Sequence, residues 1–118
     1  MKQPCVLYLL ADEDISLDDS VFTEFFDTKK ATLKSISKLA RLTKSKVLPC
    51  TCTYDINTNN FSFKIFNQLD NFPSGDIVDD CSKISACLQQ QILSDISQYM
   101  WTLRIYKHRP DGTDIYKI

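Results

Sequence analysis

The chain has 118 residues, of which 43% are hydrophobic and 25% charged, with 2 glycines, 4 prolines and a formal net charge of −1. That is enough chain for one small domain, and such usage excludes collagen-like, low-complexity and linker-dominated chains. No apolar run approaches the ~20 residues that cross a bilayer, and Cys5–Ala11 lacks the basic flank and cleavage site of a signal peptide.

Val6–Leu10 is continuously apolar and ends at Asp12-Glu13-Asp14, the pattern of a strand buried on both faces. Val21–Phe26 follows as an aromatic loop or short turn. From Ala31 to Lys44, Leu33, Ile36, Leu39, Ala40 and Thr43 recur at helical spacing, with Thr28 or Thr32 available as an N-cap. Lys46–Tyr54 is rich in β-formers, and the strand–helix–strand order predicts a right-handed βαβ crossover. Asp55–Asn60 is turn chemistry, and Phe61–Phe66 alternates as a half-buried strand, so the two runs pair as an antiparallel hairpin. After a loop over Leu69–Gly75, a second helix runs from Asp80 to Ser97. Its Ile84, Leu88, Ile92 and Ile96 share one face, and Asp79 or Asp80 sits at its positive end. The fold class expected is α/β, a single partial domain over 1–118 that corresponds to the C-terminal half of a mixed-sheet fold.

The small net charge conceals segregation. Ala11–Asp27 carries seven acids and no base, Thr28–Tyr54 seven bases and no acid, and the tail from Met100 is basic through Arg104, Lys107, Arg109 and Lys117. Such blocks form either two faces paired in space or a docking surface for an acidic protein or anionic lipid. A nucleic-acid module is disfavoured by the 13 aspartates and the isoelectric point near 5.7. The five cysteines, an odd count, suit a reducing compartment. Cys50 and Cys52 share a strand face, but no second pair at ligand spacing accompanies them, so no metal site is expected and buried small hydrophobes are the default.

Gln98–Pro110 reads Q-Y-M-W-T-L-R-I-Y-K-H-R-P. This resembles the C-terminal signature of the lipid A biosynthesis acyltransferases, the late lauroyl- and myristoyl-type enzymes of the lysophospholipid-acyltransferase-like superfamily, roughly P-E-Q-Y-x-W-x-H-R-R-F-K-x-R-P. Gln98, Tyr99, Trp101, Arg104, Lys107, Arg109 and Pro110 match, and Tyr106 stands for Phe. Upstream, Asp12 and Asp14 match a D-x-D after a buried strand. Phe22, Phe25, Phe26, Ala31 and Thr32 match an F-x-P-F-F-x-x-x-A-x-T-like stretch. Glu24 departs from a Pro, Ile96-Ser97 from Pro-Glu, Leu103 from a His and Ile105 from an Arg. His108 falls on the variable position of K-x-R-P.

The resemblance implies acyl transfer from an acyl-carrier-protein thioester to a hydroxyl of a lipid A precursor, at the cytoplasmic face of the bacterial inner membrane and without a cofactor. The family's catalytic His-x4-Asp/Glu lies upstream of residue 1, so the chain alone is expected to be silent and to supply the substrate side, with the missing N-terminal half as a partner. The resemblance places Asp12 and Asp14 near the cleft; their plain reading is an acidic loop capping the next turn. Phe22, Phe25 and Phe26 line an acyl-chain groove or pack a core. Arg104, Lys107 and Arg109 suit phosphate recognition, or form a solvated tail. The alternative to an acyltransferase half is a truncated or split, catalytically inactive paralogue acting as an interaction domain.

Overall fold

The computed structural model describes residues 3–117. The elements run β1 (Ser20–Phe25), β2 (Thr28–Leu33), α1 (Ser35–Thr43), β3 (Cys50–Asp55), β4 (Asn60–Ile65) and α2 (Ile77–Ser94), closed by a 3₁₀ turn at Ile96–Gln98. The α/β class is as expected. The strands form two separate antiparallel hairpins, β1–β2 and β3–β4.

Several expectations are corrected by this arrangement. Val6–Leu10 forms no strand and β3 pairs only with the antiparallel β4, so the expected strand–helix–strand unit makes no parallel crossover. Val21–Phe25 is strand rather than loop, because Phe26 and Asp27 both adopt positive φ (48° and 55°) and form the two-residue turn that suits a hairpin's twist. Neither turn residue is a glycine, which hid the hairpin. Residues 31–33 are consequently strand, and α1 starts only at Ser35, with Lys34 as N-cap and no side-chain cap bond from Thr28 or Thr32. Only Ser37 and Ala40 of α1 are buried, while Leu39 is exposed. Val6–Leu10 is not a buried strand: Val6 is 97% exposed, since no described strand lies beside it.

α2 begins at Ile77 because Asp76 caps it and accepts from the Val78 and Asp79 amides at 2.8 and 3.2 Å, and Asp79 and Asp80 lie in its first turn, at its positive end, as expected. Its inward face packs on β1. Asp80 is buried there and accepts from the Ser37 hydroxyl at 2.5 Å and the Ser74 amide at 2.8 Å, tying both helices to the preceding loop. One turn on, Thr23, Thr32 and Ser85 close a buried triangle of hydroxyls at 2.6–2.9 Å. Three hydroxyls can each donate once and accept once around such a ring, so no polar atom in it is stranded.

The core is Phe25, Ile92 and Ile105, with Phe26, Leu88, Tyr99, Leu103 and Tyr106 packed against it. Of the apolar departures from the C-terminal signature, Ile105 is thus a core residue and Leu103 packs, partly buried, against the core. Ile96 is exposed, because the helix has given way to the 3₁₀ turn. The β3–β4 hairpin turns at Asp55–Asn60 as expected. Its register places Cys50, Cys52, Tyr54, Phe61, Phe63 and Ile65 on one face. That face is exposed rather than half-buried, Phe61 reaching 75%, because no described element covers it. Of the cysteines, only Cys81 is a fully buried small hydrophobe.

Candidate functional site

The acidic loop that follows Leu10 has no regular secondary structure, and its position depends on side chains from the far end of the chain. Tyr99, just past the 3₁₀ turn, donates its hydroxyl to Asp12 Oδ2 at 2.9 Å. His108 donates its backbone N–H to Asp14 Oδ2 at 2.7 Å, and its Nδ1 meets Asp14 Oδ1 at 2.6 Å. Between these two tethers the Tyr106 hydroxyl donates to the carbonyl of Phe25 at 2.9 Å, and the Tyr106 N–H donates to the Tyr116 hydroxyl at 3.1 Å. Ile105, sunk in the core, fixes the tail between the tethers.

The two aspartates therefore have different surroundings. The Asp14 side chain is 0% exposed and both its oxygens are engaged by His108. Asp12 uses one oxygen for Tyr99, and the other carries no hydrogen bond among the described residues. A third charge lies beneath them. Lys30 faces inward from β2 opposite Thr23, is 1% exposed, and donates to the Ala31 carbonyl at 3.0 Å. Burial lowers its pKa from 10.5, while the charges of Asp14 and Asp12 act in the opposite sense. Burial, reinforced by the adjacent Asp12 carboxylate, raises the Tyr99 pKa well above the usual phenol value of 10, so Tyr99 remains a donor across the physiological range.

The remaining residues singled out by sequence are dispersed. Phe22 is half-buried on β1, and Phe25 is a core residue at 0% exposure. Phe26 packs edge-on to Phe25 at 4.7 Å and tilted to Trp101 at 6.1 Å. The Arg104 guanidinium lies 5.8 Å from the centre of the Tyr116 ring, and Lys107 is exposed. Arg109 lines a shallow cavity of about 290 Å³ with Asp27, Thr28 and Lys29, and its buried Nε has no hydrogen-bond partner. The structure thus ties Asp12 and Asp14 to the C-terminal tail, and sets Arg109 beside the β1–β2 turn. Sequence reasoning missed His108, Tyr99 as a tether, and Lys30. The available signal for His108 was that it is the sole histidine, inside the tail signature.

The opposite charge blocks meet in two surface ion pairs. Lys29 pairs with Glu24 at 2.6 Å and Lys38 with Asp19 at 3.6 Å, while Lys34 donates to the Asp18 carbonyl at 2.7 Å. Among the described residues no group of three or more His, Cys, Asp or Glu side chains is placed to hold a metal ion. No helix among them is long and apolar enough to cross a membrane.

The model of the bacterial lipid A biosynthesis acyltransferase family matches residues 1–108. A lipid A biosynthesis acyltransferase of Haemophilus influenzae is 34% identical over 113 residues, covering 92% of this chain and 34% of that protein. The lipid A biosynthesis myristoyltransferase of Escherichia coli is 28% identical over 105 residues, covering 89% of the chain and 32% of its own length. Lipid A biosynthesis acyltransferase 1 of Shigella flexneri is 28% identical over the same shares. The chain spans about a third of the length of these relatives.

Proposed function

Since the chain belongs to the bacterial lipid A biosynthesis acyltransferase family, we propose that it forms the substrate-side part of a site that transfers an acyl group to a hydroxyl of a lipid A precursor. One observation carries this reading: the two sequence signatures of the family, at opposite ends of the chain, converge on a single spot, Tyr99 on Asp12 and His108 on Asp14.

Acyl transfer to a hydroxyl needs a base for the hydroxyl proton, a group to orient that base, and donors for the developing oxyanion. The chain contains no His-x4-Asp/Glu; the fifth residue after its sole histidine is Thr113. The base thus comes from the part of the fold that precedes this segment in the relatives. Asp12, with one oxygen uncommitted, is the carboxylate suited to orient a basic group from that part. Asp14 is committed internally and anchors the loop. The thioester donor is an acyl-carrier protein, the site of action the cytoplasmic face of the inner membrane, and Arg104, Lys107 and Arg109 approach the phosphates of the acceptor lipid.

The test is a chimera in which residues 1–108 replace the matching third of the Haemophilus influenzae relative, assayed for lipid A acylation in cells lacking that enzyme. Restored acylation, lost again with Asp12→Asn, supports the reading. A stably produced chimera that restores nothing overturns it. The exposed apolar face of β3–β4 favours a second reading, an inactive interaction module, for which a stable but inert chimera is the expected result.

A further inference from the structure

The family's signatures do not specify a histidine at position 108, and the acyl-transfer reading assigns it only the anchoring of Asp14. The geometry around its ring supports more. The Nδ1 edge faces a carboxylate with no solvent exposure, while the His108 side chain retains 24%. Nε2 has no hydrogen-bond partner among the described residues, and it is not among the buried polar atoms that lack one. The free nitrogen is therefore not sealed from solvent.

The proton arrangement follows from Asp14. Oδ2 already accepts the His108 backbone N–H, so the carboxylate is an acceptor, and the 2.6 Å bond at Oδ1 puts the ring proton on Nδ1. A neutral imidazole with hydrogen on Nδ1 bears its lone pair on Nε2. Backbone and side chain of one residue grip the same carboxylate, so the ring cannot turn without breaking a bond to a buried group. A carboxylate fixing one imidazole nitrogen so that the other points at a ligand is the arrangement that makes histidine an oriented acceptor.

We propose that the Asp14–His108 pair is a ligand-contacting site in which Nε2 accepts a hydrogen bond from a hydroxyl of a bound polyol or sugar-bearing molecule. The proposal deepens the acyl-transfer reading, on which it rests only for the identity of that hydroxyl; the pair itself stands on its geometry.

His108 is the only histidine, so the ring-nitrogen spectrum of the ¹⁵N-labelled chain contains one pair of signals. The expected result is a protonated Nδ1 and an unprotonated Nε2, with diethyl pyrocarbonate placing one adduct on His108 by peptide mapping. A spectrum showing hydrogen on Nε2, or no adduct, overturns the proposal without any variant. Asp14→Asn, whose amide can donate to Nδ1, should move the proton to Nε2 and abolish the adduct. Methyl glucoside should slow carbethoxylation of His108 about twofold once its concentration reaches its Kd, and its fully O-methylated counterpart should not. Equal effects of the two sugars, or none, overturn the hydroxyl ligand. These readouts do not involve acyl transfer, so their failure leaves the chimera result standing, and an inert chimera leaves the tautomer standing.

Discussion

The side-chain amide of Gln98 pairs with the backbone of Tyr54 as a neighbouring strand would. The Tyr54 N–H donates to Oε1 and Nε2 donates to the Tyr54 carbonyl, each at 3.0 Å. Tyr54 is on β3, and the next residue after Gln98 is the tether to Asp12. The Gln98-Tyr99 dipeptide thus holds the β3–β4 hairpin on one side and the acidic loop on the other. Gln98→Ala should expose the Tyr54 amide and speed its hydrogen exchange about tenfold, the effect of losing about 1.4 kcal/mol of local protection. Gln98→Glu, which retains the acceptor and loses the donor, should fall between the two. An unchanged exchange rate in Gln98→Ala would show that the hairpin is held otherwise.

The hydroxyl triangle of Thr23, Thr32 and Ser85 predicts a non-additive mutational response. Ser85→Ala leaves the 2.7 Å bond between the two threonines intact, so it should cost about 1 kcal/mol of stability. Thr23→Val removes an oxygen that bonds to both partners, but Thr32 and Ser85 still bond each other at 2.9 Å. Its cost should match that of Ser85→Ala, and the double variant should cost less than the sum, because the sites share partners. Urea denaturation of the three variants measures this coupling.

Asp80 should govern acid sensitivity. Burial pushes its carboxyl upward, but the Ser37 hydroxyl, the Ser74 amide and Lys83 outweigh it and leave the pKa below 3.8. A carboxyl lowered in the fold contributes stability above its unfolded pKa and loses it as pH falls through the folded value. The urea midpoint should therefore drop as pH falls below 3.8, and Asp80→Asn should flatten that part of the profile. A variant profile parallel to the wild type would assign the acid response to other groups.

Cys81 should govern part of the alkaline limb. Burial, aided by the charge of Asp80, pushes its thiol up from 9.0 to about 11. Between those values the unfolded chain releases a proton that the folded chain retains, so stability falls as pH rises through that window. Cys81→Ala should remove this decline. Near neutral pH, iodoacetamide should label the exposed Cys52 more than about tenfold faster than Cys81, as peptide mapping would show.

What sequence conveyed and what it concealed divide along physical lines. The β3–β4 hairpin and α2 were legible because their signals are local: turn residues at Asp55–Asn60, and isoleucines at helical spacing along 84–92. The β1–β2 hairpin was hidden because Phe26 and Asp27 adopt a left-handed turn that glycine or asparagine would announce. Val6–Leu10 misled because an apolar run indicates that burial is favourable, not that a neighbour is present to provide it. Asp12 and Asp14 were visible as a motif by resemblance. Their partners were not, since no local pattern links residues 87 and 94 positions apart.

Those separations determine when the site forms as well as where. Closing a long loop carries an entropy that grows with its length, and contacts across most of a chain form after the local ones. The hairpins and α2 assemble from neighbours in sequence, whereas Asp12 and Asp14 gain their partners only when Tyr99 and His108 arrive. The acidic loop is thus the last segment to be ordered as the chain folds. During synthesis it waits, untethered, until almost the whole segment has left the ribosome.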